Sequence, residues 1–465
     1  MVDSYTDSRS FGAGCNSPPA VKVRERVLPQ SLWNPGADSE SLDGRRNRER
    51  GRRRLVPVRP EIAGRFLLED DVTQDVQLMR EAISLAERGR GHTSPNPRVG
   101  AVIVRDGKIV GRGYHERYGA PHAEVNAIAD AGEDARGADL FVTLEPCCVW
   151  GNTPPCTDTI LRAGIRRVVI PINDPNPDVA GRGIAVLREA GVVVEIGCLA
   201  DEARHLNAPY LRFRETGLPL VTLKLAVTLD GRITTARSDD RWISSEQSRL
   251  RVHAMRGGSD AVLVGIETVL ADDPELTDRR TERASRQPAR IVADSQLRIP
   301  VEGRLVSTAR VEHTVVACLD DETLATRAAA LESRGVVVWR LPPAGDGRLD
   351  ALAMMRRAAR EGITDILCEG GATLGTALLD QQLATRLAVF VAPKLSGAGG
   401  VPALGDLRGN TRLETIVWER VGDDMLLMAS VRPGASTQDQ PRERDRETSS
   451  REAPQTKDAT TCSQG

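Results

Sequence analysis

Apolar and polar residues alternate along the chain in two successive series of helices and strands. The first series opens with a helix at Asp75–Arg88, in which Val76, Met79 and Ile83 share one face. Val99–Val104 is a short apolar strand that turns at Asp106-Gly107 into a returning strand, a pattern typical of a β-hairpin. The further predicted elements are helices at His122–Ala131, Cys156–Ala163 and Ile184–Ala190, and strands at Leu140–Leu144, Arg167–Ile172 and Val192–Ile196.

The second series follows a join that we place near Gly217, between domains at residues 72–216 and 217–432. Short apolar strands dominate it, and one of them runs through Glu369–Gly375 into a helix. This alternation predicts two α/β layered domains. The predicted strands are Leu220–Val227, Ala261–Val264, Arg290–Ala293, Thr314–Ala317, Val336–Trp339, Asp365–Cys368, Arg386–Val391 and Asp424–Val431, and the other predicted helices are Ser245–Met255 and Leu349–Arg360.

The two ends of the chain depart from this pattern. Residues 1–71 are rich in Ser, Pro, Gly and Arg, and residues 433–465 contain no Val, Ile, Leu, Met or aromatic residue. Such segments bury too little apolar surface to offset their conformational entropy, so we predict two disordered extensions. Seven arginines stand between Arg45 and Arg54, but interspersed acidic residues favour a solvated tail over a nucleic-acid contact.

Composition narrows the class of protein. A length of 465 residues suggests about three domains of roughly 150 residues, and the two extensions reduce that number to two. No apolar run approaches the ~18 residues of a membrane span, and Asp3 and Asp7 argue against a leader peptide. The net charge of -2 gives no reason to expect nucleic acid or an anionic membrane. We therefore expect a cytoplasmic protein.

Lysine is scarce, with five residues among 63 basic ones, and Lys224 stands in an apolar strand. A buried ammonium group needs a partner. Lys224 is therefore predicted either to face a ligand pocket or to pair with Asp230 or another acid.

The strongest candidate chemistry lies at His122-Ala-Glu124, Pro146-Cys147 and Cys156. One His and two Cys supply three ligands of a zinc tetrahedron, which leaves one position for water, as in catalytic sites. Glu124 is close enough to serve as proton shuttle, the arrangement of zinc-dependent base deaminases. The alternative is a closed structural site with Cys148 as fourth ligand, although such a site needs no acid beside its His.

Further motifs accompany this cluster in the first half of the chain. They are Pro95–Pro97, Gly113–His115, Pro121–Glu124, Thr143–Cys147, Thr153–Cys156, Asp174–Pro177 and Gly181–Gly183. Together they resemble the deaminase half of the bifunctional riboflavin-biosynthesis deaminase–reductases, which implies a cytidine-deaminase-like three-layer domain. The resemblance implies hydrolytic deamination of a diaminopyrimidine ribosylamine 5′-phosphate, with zinc (Zn2+) on His122, Cys147 and Cys156, and Glu124 as the catalytic acid–base. It also implies that Asn96 contacts the base.

The loop between the two cysteines departs from the family pattern. Val149 replaces a His, and Asn152 replaces an Arg or Lys. Loss of a cation removes a charge-assisted hydrogen bond worth about 1.5–3 kcal/mol. Water activation should survive, but recognition of the pyrimidine and its phosphate should be weakened or changed.

The second half contains no Rossmann fingerprint, and its most informative local feature is Glu369-Gly370-Gly371. Glycines before a helix start suit a phosphate, or simply a tight turn. The surrounding motifs resemble the reductase half of the same family, which implies a dihydrofolate-reductase-like α/β domain that uses NADPH. They are Leu223–Ala226, Leu229–Arg232, Trp242–Ser244, Thr268–Pro274, Asp294-Ser295, Leu297-Arg298 and Ala392–Leu395.

This resemblance also implies site residues and a homo-oligomer. Arg256 and Arg279 suit the substrate phosphate, whereas Asp240 replaces a common Ser and would repel it. The residues implied for NADPH are Ala226, Trp242, Thr268, Asp272, Ser295 and Gly371, and those implied for the substrate are Lys224, Asp240, Arg256, Leu276, Arg279 and Glu369.

Three hypotheses follow. The first is a two-step enzyme of riboflavin synthesis that acts on a phosphorylated pyrimidine. The second is a paralogue with an altered or lost deaminase step, suggested by the cysteine loop and Asp240. The third is a non-catalytic protein that binds zinc and a nucleotide. Glu124 argues against the third, because binding alone has no use for a proton shuttle.

Overall fold

A computed structural model describes residues 69–151, 153–234, 242–280, 286–409 and 411–432. The predicted disordered extensions therefore lie outside the described residues, except that residues 69–71 already belong to the first helix. Asn152 and Asp240 also lie outside them. No helix in these ranges is long and apolar enough to span a membrane.

The first half of the described chain forms a five-stranded sheet in the order β2-β1-β3-β4-β5. Strand β1 is antiparallel to β2 and β3, whereas β3, β4 and β5 are parallel. The elements are α1 (Glu69–Glu87), β1 (Gly100–Arg105), β2 (Lys108–Tyr114), α2 (Ala123–Ala131), β3 (Asp139–Val142), α3 (Cys156–Ala163), β4 (Arg167–Ile170), α4 (Arg182–Glu189), β5 (Val193–Ile196), α5 (Ala200–Leu206) and α6 (Ala208–Thr216).

Local sequence signals account for the turns of this sheet. Asp106 and Gly107 both have positive φ, 51° and 75°, which a two-residue hairpin with the native strand twist requires. Gly164 ends α3 in the left-handed conformation. Helix α1 packs on one face through residues such as Met79, whereas Ala127 and Ile160 of α2 and α3 pack on the other. The domain therefore has three layers, as the resemblance implied.

The second half forms a nine-stranded sheet in the order β10-β9-β8-β7-β11-β6-β12-β14-β13. Neighbouring strands are parallel, except that β14 is antiparallel to both β12 and β13. The elements are β6 (Leu220–Thr228), α7 (Glu246–Gly258), β7 (Ala261–Gly265), α8 (Ile266–Asp272), β8 (Ala289–Ala293), α9 (Arg304–Ser307), β9 (Thr314–Leu319), α10 (Ala325–Glu332), β10 (Val337–Leu341), α11 (Ala351–Arg360), β11 (Asp365–Cys368), α12 (Ala372–Asp380), β12 (Ala384–Ala392), β13 (Arg412–Val421) and β14 (Asp424–Arg432).

Both faces of this sheet are covered. Met354 of α11 and Leu378 of α12 pack on one face, and Val269 of α8 and Leu331 of α10 pack on the other. Parallel strands covered on both faces need continuous apolar runs, which explains why β7, Ala-Val-Leu-Val-Gly, reads without alternation. The most buried positions of both faces therefore lie in the central strands.

Several elements were not predicted from the sequence. Helices α5, α6, α8, α9 and α10 were missed, and so was strand β13. Helix α8 follows β7 without an intervening turn residue, so its start is hidden in an apolar run. Most residues of β13 are exposed, so the strand lacks the alternation that a half-buried strand shows.

The loop of residues 88–99, between α1 and β1, contacts the second sheet's domain. The Arg286 guanidinium donates to the carbonyl oxygen of Gly91 at 3.3 Å, and the Thr364 hydroxyl donates to the Ser94 hydroxyl oxygen at 3.3 Å. The loop ends close to Asn96, so elements of the second domain support a wall of the first domain's site.

Candidate active sites

Three side chains of the first domain converge on one point. His122 is the N-cap residue of α2, Cys147 follows β3, and Cys156 is the first residue of α3. Their ligand atoms lie within 4.8 Å of one another. His122 Nδ1 is 3.2 Å from Cys156 Sγ and 3.5 Å from Cys147 Sγ. Tetrahedral zinc with ordinary bond lengths places such N and S ligands about 3.5 Å apart, so the cluster fits this metal.

The electrostatics of the cluster also suit a cation. Hydrogen bonds from the Cys156 thiol and from His122 lower the pKa of the Cys147 thiol to about 4, and the Cys156 backbone N–H adds a further donor at 3.4 Å. Zinc binds the deprotonated form of cysteine, and a lowered thiol pKa favours that form.

Neither helix that begins at this cluster carries an ordinary cap. His122 and Pro155 are the N-cap residues of α2 and α3, and neither side chain bonds to the free N–H groups of its helix. Both helix starts therefore give their first residues to the site instead of to capping.

Glu124 lies in the first turn of α2 and is 3% exposed. Burial raises the pKa of this carboxyl to about 6. Its side chain lines the same cavity as His122 and Cys147, which is the position required of a group that serves the metal's open coordination site.

Cys148 does not join the cluster. Its thiol is directed at the carbonyl oxygen of Asp178, 3.9 Å away. Within the described residues the metal cluster therefore holds three side chains, and the closed site with Cys148 as fourth ligand is not supported.

The cavity beside the cluster has a volume of about 310 Å³, and Asn96 and His115 form part of its wall. His115 Nδ1 is 3.1 Å from the carbonyl oxygen of Pro121, which can only accept, so Nδ1 carries the proton. His115 Nε2 is then an acceptor for the Asn96 amide nitrogen at 3.2 Å. These two hydrogen bonds direct the Asn96 amide oxygen away from His115.

Two buried acids of this wall were not singled out from the sequence. Glu145 accepts the backbone N–H groups of Asp174, Gly181 and Ile184 at 3.1, 3.0 and 3.3 Å. Asp174 accepts the Tyr210 hydroxyl at 2.8 Å. Their signal was present in the motifs Thr143–Cys147 and Asp174–Pro177, and their role is to hold the loop that carries Cys147.

The second domain contains a cleft with two adjoining cavities, about 990 and 560 Å³ in volume. Both are lined by Thr268, Asp272 and Gly371, so a ligand in one would meet a ligand in the other at these residues. Of the residues implied for NADPH, Thr268, Asp272, Ser295 and Gly371 line the larger cavity, and Ala226 and Trp242 line the smaller one.

The start of α12 forms a wall of the larger cavity, and Gly371 at this start keeps the cavity open. Gly371 is the N-cap residue, and a Cβ at this position would point at the Thr268 hydroxyl, 3.8 Å away. A side chain would therefore fill the space where both cavities meet. The open backbone and the volume fit a dinucleotide.

Lys224 and Arg256 meet at Glu369 in the smaller cavity. Arg256 binds both Glu369 oxygens, at 2.6 and 3.1 Å, and Lys224 Nζ is 3.8 Å away. Lys224 was predicted to face a pocket or to pair with Asp230 or another acid; it lines the cavity and its acidic partner is Glu369, whereas Asp230 accepts from Thr228 and from the backbone of Ser396. The described residues implied for the substrate all line this cavity: Lys224, Arg256, Leu276, Arg279 and Glu369.

His253 is a further wall residue that the sequence analysis treated as a bystander. Its Nδ1 lies 3.1 Å from the Thr277 carbonyl oxygen, and its Nε2 lies 3.5 Å from Arg279 Nη2. Burial and the charges of Arg256 and Arg279 lower the pKa of His253. The ring therefore contacts Arg279 at two points, because the Arg279 backbone nitrogen lies 3.3 Å from Nδ1 and the Arg279 guanidinium lies near Nε2.

Two family models match the chain, one in each half. Residues 72–172 match the cytidine and deoxycytidylate deaminase zinc-binding region, and residues 219–427 match the RibD C-terminal domain. The chain is 42% identical over 372 residues to riboflavin biosynthesis protein RibD of Escherichia coli (strain K12), covering 76% of this chain and 98% of that protein. The corresponding protein of Aquifex aeolicus (strain VF5) is 39% identical over 356 residues, or 76% and 97% of the two chains.

Solved structures show the same likeness. Acinetobacter baumannii RibD, form 1, superposes with a TM-score of 0.68 at 35% identity, covering 78% of this chain and all of that one. A diaminohydroxyphosphoribosylaminopyrimidine deaminase/5-amino-6-(5-phosphoribosylamino)uracil reductase from Thermotoga maritima superposes with a TM-score of 0.67 at 34% identity, covering 78% and 99%.

Proposed function

The chain belongs to the RibD family of riboflavin biosynthesis proteins, and from that premise we propose which residues carry each of its two reactions. The protein is a bifunctional enzyme, a zinc-dependent deaminase followed by an NADPH-dependent reductase. Its reactions are the hydrolytic deamination of 2,5-diamino-6-(5-phosphoribosylamino)pyrimidin-4-one and the reduction of the ribosyl group to a ribityl chain.

In the deaminase site, His122, Cys147 and Cys156 would hold the zinc. When bound, this metal makes a water molecule acidic enough to attack the carbon that carries the amino group. Glu124 accepts a proton from the attacking water and returns it to the departing amino group, which leaves as ammonia. Asn96, held by His115, would orient the pyrimidine by hydrogen bonds to its edge.

In the reductase site, the larger cavity would hold NADPH, which supplies a hydride. The helix start at Gly371 would receive the phosphates of the cofactor, because its N–H groups favour anions. In the smaller cavity Arg256 and Lys224 keep Glu369 ionised, so its carboxylate can accept hydrogen bonds from substrate hydroxyls. Arg279 would bind the substrate phosphate.

The observation that carries the deaminase assignment is the buried carboxyl of Glu124 beside a three-ligand metal cluster. Its test uses Glu124→Gln, with ammonia release and NADPH oxidation followed separately. We expect ammonia release to fall by at least about 100-fold, the usual contribution of a general acid–base group. NADPH oxidation on substrate that is already deaminated should stay within twofold of wild type. Full ammonia release by this variant would contradict the assignment.

We also propose the division at residues 72–216 and 217–432, with α6 as the last element of the first domain. Gly217 ends α6 in the left-handed conformation, and β6 begins three residues later. A cytoplasmic location suits the site, because Cys147 and Cys156 must stay reduced to bind zinc.

The homo-oligomer that we propose would form through the edge of the nine-stranded sheet. Strand β13 exposes Ile416, Val417 and Trp418, each more than half exposed. An apolar edge strand left open invites pairing, so we infer that a second copy covers it. We expect Trp418→Asp to lower the sedimentation coefficient towards that of a monomer. An unchanged coefficient would place the contact elsewhere.

A further inference from the structure

The deaminase cavity is lined by a single Arg or Lys among the described residues, Arg214 of α6. The substrate proposed for this cavity carries a phosphate, and a phosphate is bound in proteins chiefly by guanidinium and ammonium groups. The cation that can bind the substrate phosphate therefore comes from helix α6 and not from the loop that carries the zinc ligands.

Arg214 lies against two aromatic rings, and its charge also acts on the Asp174 carboxyl and the Tyr210 hydroxyl without an ion pair to a described acid. Its guanidinium carbon is 5.3 Å from the ring centroid of Tyr210 and 6.0 Å from that of Phe213. Arg166 and Arg167 of the same domain are ion-paired with Asp139, but no described carboxylate lies within ion-pairing distance of Arg214. Stacking limits the motion of the guanidinium while its N–H groups stay available to an anion.

The acids in the cavity wall are engaged within the protein. Glu145 accepts three backbone N–H groups, and Asp174 accepts the Tyr210 hydroxyl and the Asn176 backbone N–H. Their lone pairs are directed inward, which limits their repulsion of an anion at the mouth of the cavity.

The position of Arg214 matches the polarity of the substrate. Glu124 is 3% exposed at the closed end of the cavity, whereas Arg214 and Tyr118 are exposed at its open end. A pyrimidine placed against the metal cluster would direct its ribosyl phosphate towards the opening. A dianion at the opening also keeps most of its hydration.

We propose that Arg214 forms the phosphate subsite of the deaminase, an inference that rests on the proposed function. Arg214 selects the 5′-phosphorylated pyrimidine over the unphosphorylated nucleoside, and Tyr210 and Phe213 position its guanidinium. It acts on substrate affinity and takes no part in proton transfer at Glu124.

The test compares Arg214→Gln with Arg214→Lys. Ammonia release is measured on the phosphorylated pyrimidine and on its nucleoside. We expect Arg214→Gln to lower kcat/KM for the phosphorylated form by about 10- to 100-fold, mainly through KM, because a charge-assisted hydrogen bond is lost. The value for the nucleoside should stay within twofold, and the lysine variant should recover part of the loss. Arg204→Gln, an exposed position on α5 away from the cavity, is the matched control.

Binding provides a readout that does not depend on turnover. Calorimetry with the phosphorylated pyrimidine would compare Glu124→Gln with the Glu124→Gln/Arg214→Gln double variant, and any binding in the reductase cleft cancels in the comparison. Equal affinities, or equal losses for nucleotide and nucleoside, would overturn the phosphate subsite and leave Arg214 a structural role. If wild-type protein released no ammonia, the proposed deamination would fail, while the binding comparison would still decide the subsite.

Discussion

At the scale of single residues, the reductase cavity depends on how its arginines are held. Thr277 accepts from both Arg256 and His253 through its carbonyl oxygen, and His253 in turn contacts Arg279. One backbone carbonyl therefore ties together the two arginines that suit the substrate phosphate. His253, fixed by Thr277, in turn limits the motion of the Arg279 side chain.

Replacement of His253 by Ala should loosen Arg279, which keeps its ion pair with Glu275. We expect KM for the deaminated, phosphorylated substrate to rise by about fivefold, the effect of losing one hydrogen bond of roughly 1 kcal/mol, with little change in kcat. NADPH oxidation measures this effect. His253→Gln retains an acceptor near the Nε2 position and should recover part of it. An equal change in kcat would indicate a general loss of structure instead of a loss of positioning.

The sequence singles out the residues whose chemistry is unusual, and the structure brings three of them together in one cluster. His122, Glu124 and the two cysteines were found because few other functions need those residue types at that spacing. His253, Glu145 and Arg214 were missed as site residues, because a single His, Glu or Arg has many ordinary positions. Only the fold brings α6, far along the chain, to the cavity that begins at Asn96. In our proposal Arg214 supplies the cation that the family pattern has at the position of Asn152, and no local sequence pattern marks Arg214 for this role.

At the scale of elements, the loop of residues 88–99 connects helix α7 of the second domain with the wall of the deaminase cavity. Gly91 has a φ of 79°, and a Cβ there would lie 2.6 Å from the carbonyl oxygen of Gly257, in the last turn of α7. A side chain cannot be accommodated without moving backbone. The same loop carries Asn96, so its displacement would reach the deaminase cavity.

We therefore expect Gly91→Ala to reduce ammonia release by about 10-fold or more, because displacements of the order of 1 Å at a catalytic site are costly. Gly137→Ala is the control: its φ is 73°, and nothing lies within 4 Å of its Cβ position. Both substitutions impose left-handed strain of about 1–2 kcal/mol, but only the first adds a clash. Equal ammonia release by the two variants would show that the loop tolerates the shift.

The same scale shows where pattern recognition fails. Strands in the middle of the second sheet were placed within one or two residues, because their burial on both faces requires apolar runs. Strand β13 was missed because it is an edge strand, paired on one side with β14, and because most of its residues are exposed, so neither of its faces imposes an alternation of apolar and polar residues. Helices α5 and α6 were missed because Tyr210 and Leu211 are consecutive buried residues at a domain junction, outside helical periodicity.

At the scale of the whole molecule, the two chemistries are carried by separate sheets. The metal cluster lies wholly in the first domain, and the cleft that we propose for NADPH lies wholly in the second. We expect that removal of zinc by a chelator abolishes ammonia release and leaves NADPH oxidation on deaminated substrate unchanged. Loss of both activities on chelation would show that the metal also supports the second domain.

The amount of bound zinc distinguishes the role of Cys147 from that of Cys148. Cys147→Ser should lower bound zinc well below one per chain, whereas Cys148→Ser should retain it, because the Cys148 thiol lies outside the cluster. Metal analysis of the purified variants measures this difference. A loss of zinc from the second variant would restore the four-ligand alternative.

The uncapped starts of α2 and α3 have a consequence for the protein's life in the cell. Two neighbouring helices begin at metal ligands without a hydrogen bond from an N-cap side chain, and the first N–H of α3 is donated to the thiol of Cys147, which is itself a metal ligand. A ligand that binds only the native state adds its binding free energy to the stability of that state. Zinc, once bound, therefore secures both helix starts. In a cell short of this metal, the first turns of both helices would fray, and the first domain would be open to proteolysis at its active site.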